Sequence, residues 1–247
     1  MTPNNLASPS GILLVDKPEG LTSFALVAKL RKILHVQKIG HAGTLDPFAT
    51  GVMVMLIGKQ YTKLSDQFLT HDKEYLATVH LGIETDSYDS DGIIVETSMC
   101  VPTLDEIQRA LVNFQGEVMQ TPPMFSAKKL RGKKLYELAR QGITVERKPC
   151  LVSLHTDLLH YEYPHLKLRI ACSKGTYIRS IAHDLGIVLG CKAHLSALQR
   201  TRSGPFHLEQ CLDGHKLNVP CDDMISPILE KLIKIDNIPK VVQKLGF

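Results

Sequence analysis

Apolar residues along the chain fall into short runs separated by stretches rich in Gly, Pro, Asp and Ser. Runs of both helical and alternating period occur, so helices and strands are both expected. Ile12-Leu13-Leu14-Val15 predicts a strand, ended by the turn Asp16-Lys17-Pro18-Glu19-Gly20. Thr22 or Ser23 caps a following helix with Leu26, Val27, Leu30, Ile33 and Leu34 on one face. The run Val52 to Gly58 has the length and apolarity of a buried strand, and Lys73 to Gly82 alternates with Tyr75, Ala77, Val79 and Leu81 on one face. Thr103-Leu104-Asp105-Glu106 is a capping box opening a helix with Ile107, Ala110, Leu111 and Phe114 turned inward. Gly132 to Gln141 predicts a short basic helix closed by Gly142. Cys150 to Tyr161 and Leu166 to Cys172 predict a hairpin around Pro164. A helix ending at Gly190, a strand from Ala193 to Arg202 and a helix from Ser226 through Ile235 complete the reading.

One stretch fits neither period. Gly40-His41-Ala42-Gly43-Thr44-Leu45-Asp46-Pro47-Phe48-Ala49-Thr50-Gly51 holds three glycines and a proline, which exclude a regular helix. A tight loop feeding a buried strand holds its carboxylate on rigid backbone, so Asp46 is the first candidate for catalysis. Asp-Pro alone signals only a turn. The acidic loop Asp86 to Gly92 lacks the alternation and closing glutamate of a calcium loop, so no metal is assigned to it.

Composition adds little: 22% charged and 44% apolar residues are ordinary for a globular chain of 247 residues. No apolar run reaches the ~20 residues of a membrane span, and the N-terminus has no secretory signal pattern. Six scattered cysteines without a C-x-x-C pair point to reduced thiols and a cytoplasmic setting. The charge distribution says more. Lys128 to Lys148 carries eight basic and two acidic residues, a net +6 against +4 for the whole chain. Such concentration suits a polyphosphate partner as well as a solvated face.

The twelve-residue loop resembles the motif G-H-x-G-x-L-D-P-x-A-x-G of the TruB-type tRNA pseudouridine synthases. Asp16-Lys17-Pro18-x-Gly20-x-Thr22-Ser23, the K-x-Y around Tyr75, Ser173-Lys174-Gly175-Thr176-Tyr177-Ile178-Arg179 and the L-x-R of Leu198 and Arg200 are similar to further motifs of that family. The resemblance runs from about Gly11 to Arg202. It implies an α+β catalytic domain over 1–210, with a mixed, largely antiparallel sheet flanked by helices. A thumb-like basic insertion would span about 120–148 and order on RNA. Residues 211–247 would complete the domain, being too few for the family's additional C-terminal RNA-binding domain.

The implied activity is isomerisation of the T-loop uridine (position 55 of tRNA), with tRNA as partner and neither membrane nor obligate protein partner. The N1–C1′ bond breaks, uracil rotates, and the bond re-forms through C5, which requires no cofactor and no metal. The resemblance makes Asp46 catalytic and Arg179 its counter-ion, opposing the rise in pKa that desolvation imposes on a carboxyl of ordinary value ~3.9. Tyr75 would stack on the everted uracil, worth ~1–3 kcal/mol against the cost of flipping. His41 would help hold the base out or fill its vacated place, Tyr177 and Leu198 would line its pocket, and Lys17 would support the loop. Lys128, Lys129, Arg131, Lys133 and Lys134 would bind the RNA backbone. Two rivals remain: a same-fold synthase acting on another RNA, such as a guide-directed relative, and an RNA chaperone that binds without needing catalysis.

Overall fold

The structure, a computed structural model, describes residues 8–130, 132–218 and 221–234. In chain order its elements are β1 (Gly11–Lys17), α1 (Ser23–Leu34), β2 (Ile39–Ala42), β3 (Thr50–Ile57), α2 (Lys59–Thr62), α3 (Ser65–Leu69), β4 (Lys73–Leu81), β5 (Ile83–Thr85) and β6 (Ile94–Thr97). Then come α4 (Leu104–Leu111), β7 (Gly116–Gln120), β8 (Lys129–Leu130), β9 (Lys133–Lys134), α5 (Leu135–Ala139), β10 (Cys150–Glu162), β11 (His165–Cys172), α6 (Ile178–Val188), β12 (Ala193–Ser203), β13 (Phe206–His207), β14 (Leu212–Asp213) and α7 (Cys221–Glu230). The chain divides into two compact units, one formed by residues up to Lys73 with those from Gln199 onward, the other by Glu74–Leu198.

In the first unit the strand order is β14-β1-β3-β12, with β2 added to β3 and β13 to β12. β1 and β3 are antiparallel, pairing Leu14 with Val54, whereas β14 runs parallel to β1 and β12 parallel to β3. Ile12, Leu14, Val52, Val54 and Leu56 pack with Tyr61, Phe68 and Phe206 into one cluster. Each such side chain contributes about 1.5–3 kcal/mol by leaving water. α1 buries Leu26, Val27, Leu30, Ile33 and Leu34, and the Thr22 hydroxyl accepts from the Ala25 N–H at 3.0 Å to cap it.

In the second unit the order is β12-β4-β11-β10-β7. β4 alternates as expected, with Lys73, Tyr75, Ala77, Val79 and Leu81 buried. β10 and β11 form the expected antiparallel hairpin, turning at Tyr163–Pro164. Thr103 and Glu106 close the capping box of α4.

Three local expectations differ. Gly40-His41-Ala42 are not loop but strand β2, because pairing with β3 (His41 opposite Met55) supplies the bonds that glycine's low propensity withholds. The helix of the basic segment covers only Leu135–Ala139, since Lys133 and Lys134 pair with Leu130 and Lys129 in a small ladder. α7 begins at Cys221 and carries Pro227 in its interior. Its apolar face already starts at Met224, four residues before Ile228, so burial sets the helix register there rather than the Ser-Pro signal. Ile235 lies outside the described residues.

Candidate functional site

The loop between β2 and β3 is held at almost every residue. Asp46 begins a turn in which its carbonyl accepts from the Ala49 N–H at 3.1 Å, and Pro47 occupies the second turn position, where its fixed φ fits. The neighbours of Asp46 are clamped on both sides. Ser23 Oγ, buried at the start of α1, donates to the Leu45 carbonyl and accepts from the Leu45 N–H, both at 3.0 Å. The Pro47 carbonyl accepts from the Gly20 N–H at 2.9 Å and from Lys17 Nζ at 3.0 Å. Lys17 Nζ also donates to the carbonyls of Pro18 (2.8 Å) and Leu21 (2.7 Å), so all three ammonium protons have acceptors. The Lys17 side chain is wholly buried, and burial pushes it down to about 8, with Asp46 and then Glu19 pulling the other way. Lys17 thus supports the Asp46 loop from beneath, and Asp46 itself is half-buried.

Arg200, 1% exposed on β12, lies under the same loop. Its Nε donates to the Val52 carbonyl at 2.7 Å and its Nη2 to the Gly43 carbonyl at 3.1 Å. Gly51 has φ +102, and a Cβ there would fall 2.3 Å from the Arg200 carbonyl, so only glycine fits the crossing of β3 and β12. His41 is half-buried on β2, and burial, reinforced by Arg200, holds its imidazole below the ordinary range. Its Nδ1 is buried without a hydrogen-bond partner. Asp46, Lys17 and His41 therefore share one unit, organised around Arg200.

The second unit carries Tyr75, Tyr177, Arg179 and Leu198. Tyr75 on β4 and Leu198 on β12 are buried at 8% and 7% exposure, and Tyr177 is the N-cap of α6. Arg179, two residues further, is 5% exposed. It is ion-paired at 3.1 Å with Asp89, whose side chain is equally buried, and donates to the carbonyls of Ser87 (3.1 Å) and Phe125 (2.8 Å). Asp89 also accepts from Ser87 Oγ at 2.5 Å and from the Asp91 N–H at 3.1 Å. A buried charge pair of this kind holds only when its remaining valences are met, as here.

The basic insertion lies in the same unit. Lys128, Lys129 and Lys133 are exposed, Lys134 is half-buried with its ammonium donating to Tyr136 Oη at 3.2 Å, and Arg131 is outside the described residues. Lys128, Lys129 and Lys133, with Glu146, Arg147 and Lys148, line a cavity of about 920 Å³ together with Leu135, Leu138 and Val145. Among the described residues no cluster fit to ligate a metal is present, and no helix is long and apolar enough to cross a membrane.

Ser23 is read from sequence only as an alternative helix cap, a role the structure gives to Thr22, and Asp89 and Arg200 have no role in the sequence reading. Asp89 sits in a loop read only for metal binding, and nothing local marks a pair formed across 90 residues of chain.

Known proteins are similar to this chain in sequence and in fold. The model of the TruB family pseudouridylate synthase N-terminal domain matches residues 31–178, and that of the tRNA pseudouridylate synthase B C-terminal domain matches 179–230. A tRNA pseudouridine synthase B of Protochlamydia amoebophila is 65% identical over 208 residues, covering 84% of this chain and 79% of that protein. One from Chlamydia trachomatis is 58% identical, covering 90% and 92%. Among solved structures, a chain of a Cbf5-Nop10-Gar1 complex superposes with a TM-score of 0.68 at 32% identity, over 90% of this chain and 58% of that one. An H/ACA RNP bound to a substrate RNA containing 2′-deoxyuridine gives 0.64 at 31%, over 91% and 58%. The present chain thus spans under two thirds of those two structures' chains. Fold and family matches define a pseudouridine-forming enzyme, and the chain belongs to the TruB family of pseudouridylate synthases.

Proposed function

We propose that the chain isomerises a uridine of tRNA, the one in the T-loop, with Asp46 as the catalytic carboxylate. The observation that carries this reading is the double clamp on Asp46: Leu45 is fixed by Ser23, and Pro47 by Gly20 and Lys17. A carboxylate whose two neighbours cannot move is preorganised, which is what a transition state rewards. The most similar relatives given above, at 58% and 65% identity, are named for tRNA. The Cbf5-Nop10-Gar1 complex and the H/ACA RNP stand at 31–32% and only part of their chains is matched, so a tRNA substrate is favoured over another RNA.

In the reaction, Asp46 acts at the sugar or base of an everted nucleotide while the glycosidic bond breaks and the freed uracil turns to present C5. Tyr75 stacks on that base, His41 takes part in holding it out, and Tyr177 and Leu198 line its pocket. Arg179 supplies positive charge, already oriented by Asp89. The basic insertion holds the RNA backbone, and folded stem-loop shape rather than duplex sequence sets recognition. A cytoplasmic location, where tRNA is matured, goes with this reading.

The test is incubation with an unmodified tRNA transcript followed by chemical mapping of pseudouridine. Conversion of uridine 55 of the T-loop alone is expected. Conversion elsewhere would overturn the substrate position, and no conversion of any uridine would overturn the reading.

A further inference from the structure

We infer that Gln120 is a positioning residue for the reaction, fixing the start of α6 through the main chain of Tyr177 and tying it to the root of the basic insertion. The inference rests on the function proposed above. Gln120 is the last residue of β7 and 4% exposed. Its Nε2 donates to the Tyr177 carbonyl at 3.0 Å, and the Tyr177 N–H donates to its Oε1 at 2.8 Å. A primary amide offers a donor and an acceptor side by side at any pH, so Gln120 pairs with both main-chain groups of one residue as a neighbouring strand would.

Tyr177 needs such a partner. It is the N-cap of α6 in extended conformation (φ −105, ψ 107), and its side chain makes no capping bond. Two residues that follow it repeat the connection. Ser180 Oγ donates to the Thr121 carbonyl at 3.0 Å, and Arg179 Nη2 to the Phe125 carbonyl at 2.8 Å. Residues 120, 121 and 125 are thus bonded to 177, 180 and 179. Pro122 and Pro123 lack N–H groups, so this strap cannot extend the β-sheet, and side chains make the attachment instead. The Pro122 carbonyl accepts from Arg147 Nη1 at 3.2 Å, and Arg147 also lines the cationic cavity of the insertion. Force on the insertion when it grips phosphates therefore reaches Tyr177 and Arg179 through short, directional bonds. Gln120 then sets the rate of the chemical step and leaves tRNA affinity alone.

The experiment compares the full-length wild type with Gln120→Met, which loses both bonds, and Gln120→Glu, which at neutral pH can accept but not donate. Single-turnover rates and tRNA Kd are measured on a T-loop transcript. Gln120→Met is expected to react on the order of ten- to a hundredfold more slowly with Kd within about twofold of wild type. Gln120→Glu is the decisive arm. Protonated, its carboxyl regains a donor, so its rate relative to wild type rises as the pH falls towards about 5, whereas a merely structural role leaves that ratio flat. A second readout needs no reaction: amide exchange of the segment Ser173 to Ala182 in the free protein, expected to be faster in Gln120→Glu at pH 8. A flat rate ratio, unaltered exchange, or a loss of rate matched by a loss of affinity overturns the inference. If wild type itself forms no pseudouridine, the functional reading fails, and the exchange result alone decides the positioning by Gln120. Should Gln120→Met not fold, the Gln120→Glu arms still decide.

Discussion

Replacing Ser23 by alanine removes one oxygen atom and leaves two buried main-chain groups without partners. Ser23 is 3% exposed, and its hydroxyl is bonded to both the N–H and the carbonyl of Leu45, itself 4% exposed. The volume change is small, so the cavity contribution is minor. An unpaired buried backbone group costs about 1–3 kcal/mol. Two groups, partly relieved by local relaxation, give a loss of about 2–4 kcal/mol in stability, measured as a shift of the urea midpoint at unchanged slope. Leu45 immediately precedes Asp46, so loosening it spreads the carboxylate over more orientations. The single-turnover rate of release of tritium from C5-labelled uridine in a tRNA transcript should fall about tenfold or more in the protein still folded, with tRNA binding retained. Ser23→Cys, which keeps a weak donor and acceptor, should fall between the two. A Ser23→Ala protein with stability within about 0.5 kcal/mol of wild type and full turnover would refute the clamp.

The remaining predictions concern the other parts of the molecule. Asp89→Asn removes the carboxylate paired at 3.1 Å with the buried Arg179 guanidinium and should cost about 3–5 kcal/mol of stability. Asp89→Asn with Arg179→Met should recover part of that loss, and a double variant no more stable than the single one refutes the pairing. Charge reversal at Lys128, Lys129 and Lys133 should weaken tRNA binding and reduce its salt slope by about 0.7–0.9 for each phosphate no longer neutralised, read from Kd across a salt series. An unchanged slope removes the insertion from the RNA interface. Burial, with His194 and His165 adding to it, holds His80 below its usual range. The unfolded chain then takes up a proton before the folded one does. The stability His80 contributes is intact above about pH 6.5 and is lost as pH falls through its lowered folded value. Urea titrations should show His80→Gln losing less stability than wild type between about pH 7 and 5, and equal losses would contradict the shift.

Much of the architecture is legible in the sequence, for reasons tied to particular residues. β4 announces itself because its buried face recurs every second residue from Tyr75 to Leu81, and α1 because Thr22 caps a run with helical spacing. The capping box at Thr103 and Glu106 is likewise local chemistry. β2 is hidden because Gly40 and His41 have no strand signal of their own and become strand only by pairing with β3. The small ladder that shortens α5, and the burial that draws α7 back past Pro227, are also tertiary effects. The same division holds for the site. Asp46, Tyr75 and Arg179 lie in strings long enough to be matched to a family. The bonds that fix them are not legible, even where Ser23 and Arg200 fall in matched strings: Ser23 reaches Leu45, Arg200 reaches Gly43 and Val52, and Asp89 reaches Arg179 only because the chain is folded.

The most direct test of the central claim is the single-turnover reaction of Asp46→Asn on the unmodified tRNA transcript, with binding measured in parallel. Asparagine keeps the shape of the turn and removes the negative charge, so tRNA affinity should stay within about twofold while C5 tritium release and mapped pseudouridine both vanish. Conversion at a rate near that of wild type would contradict the assignment of this carboxylate to the chemistry.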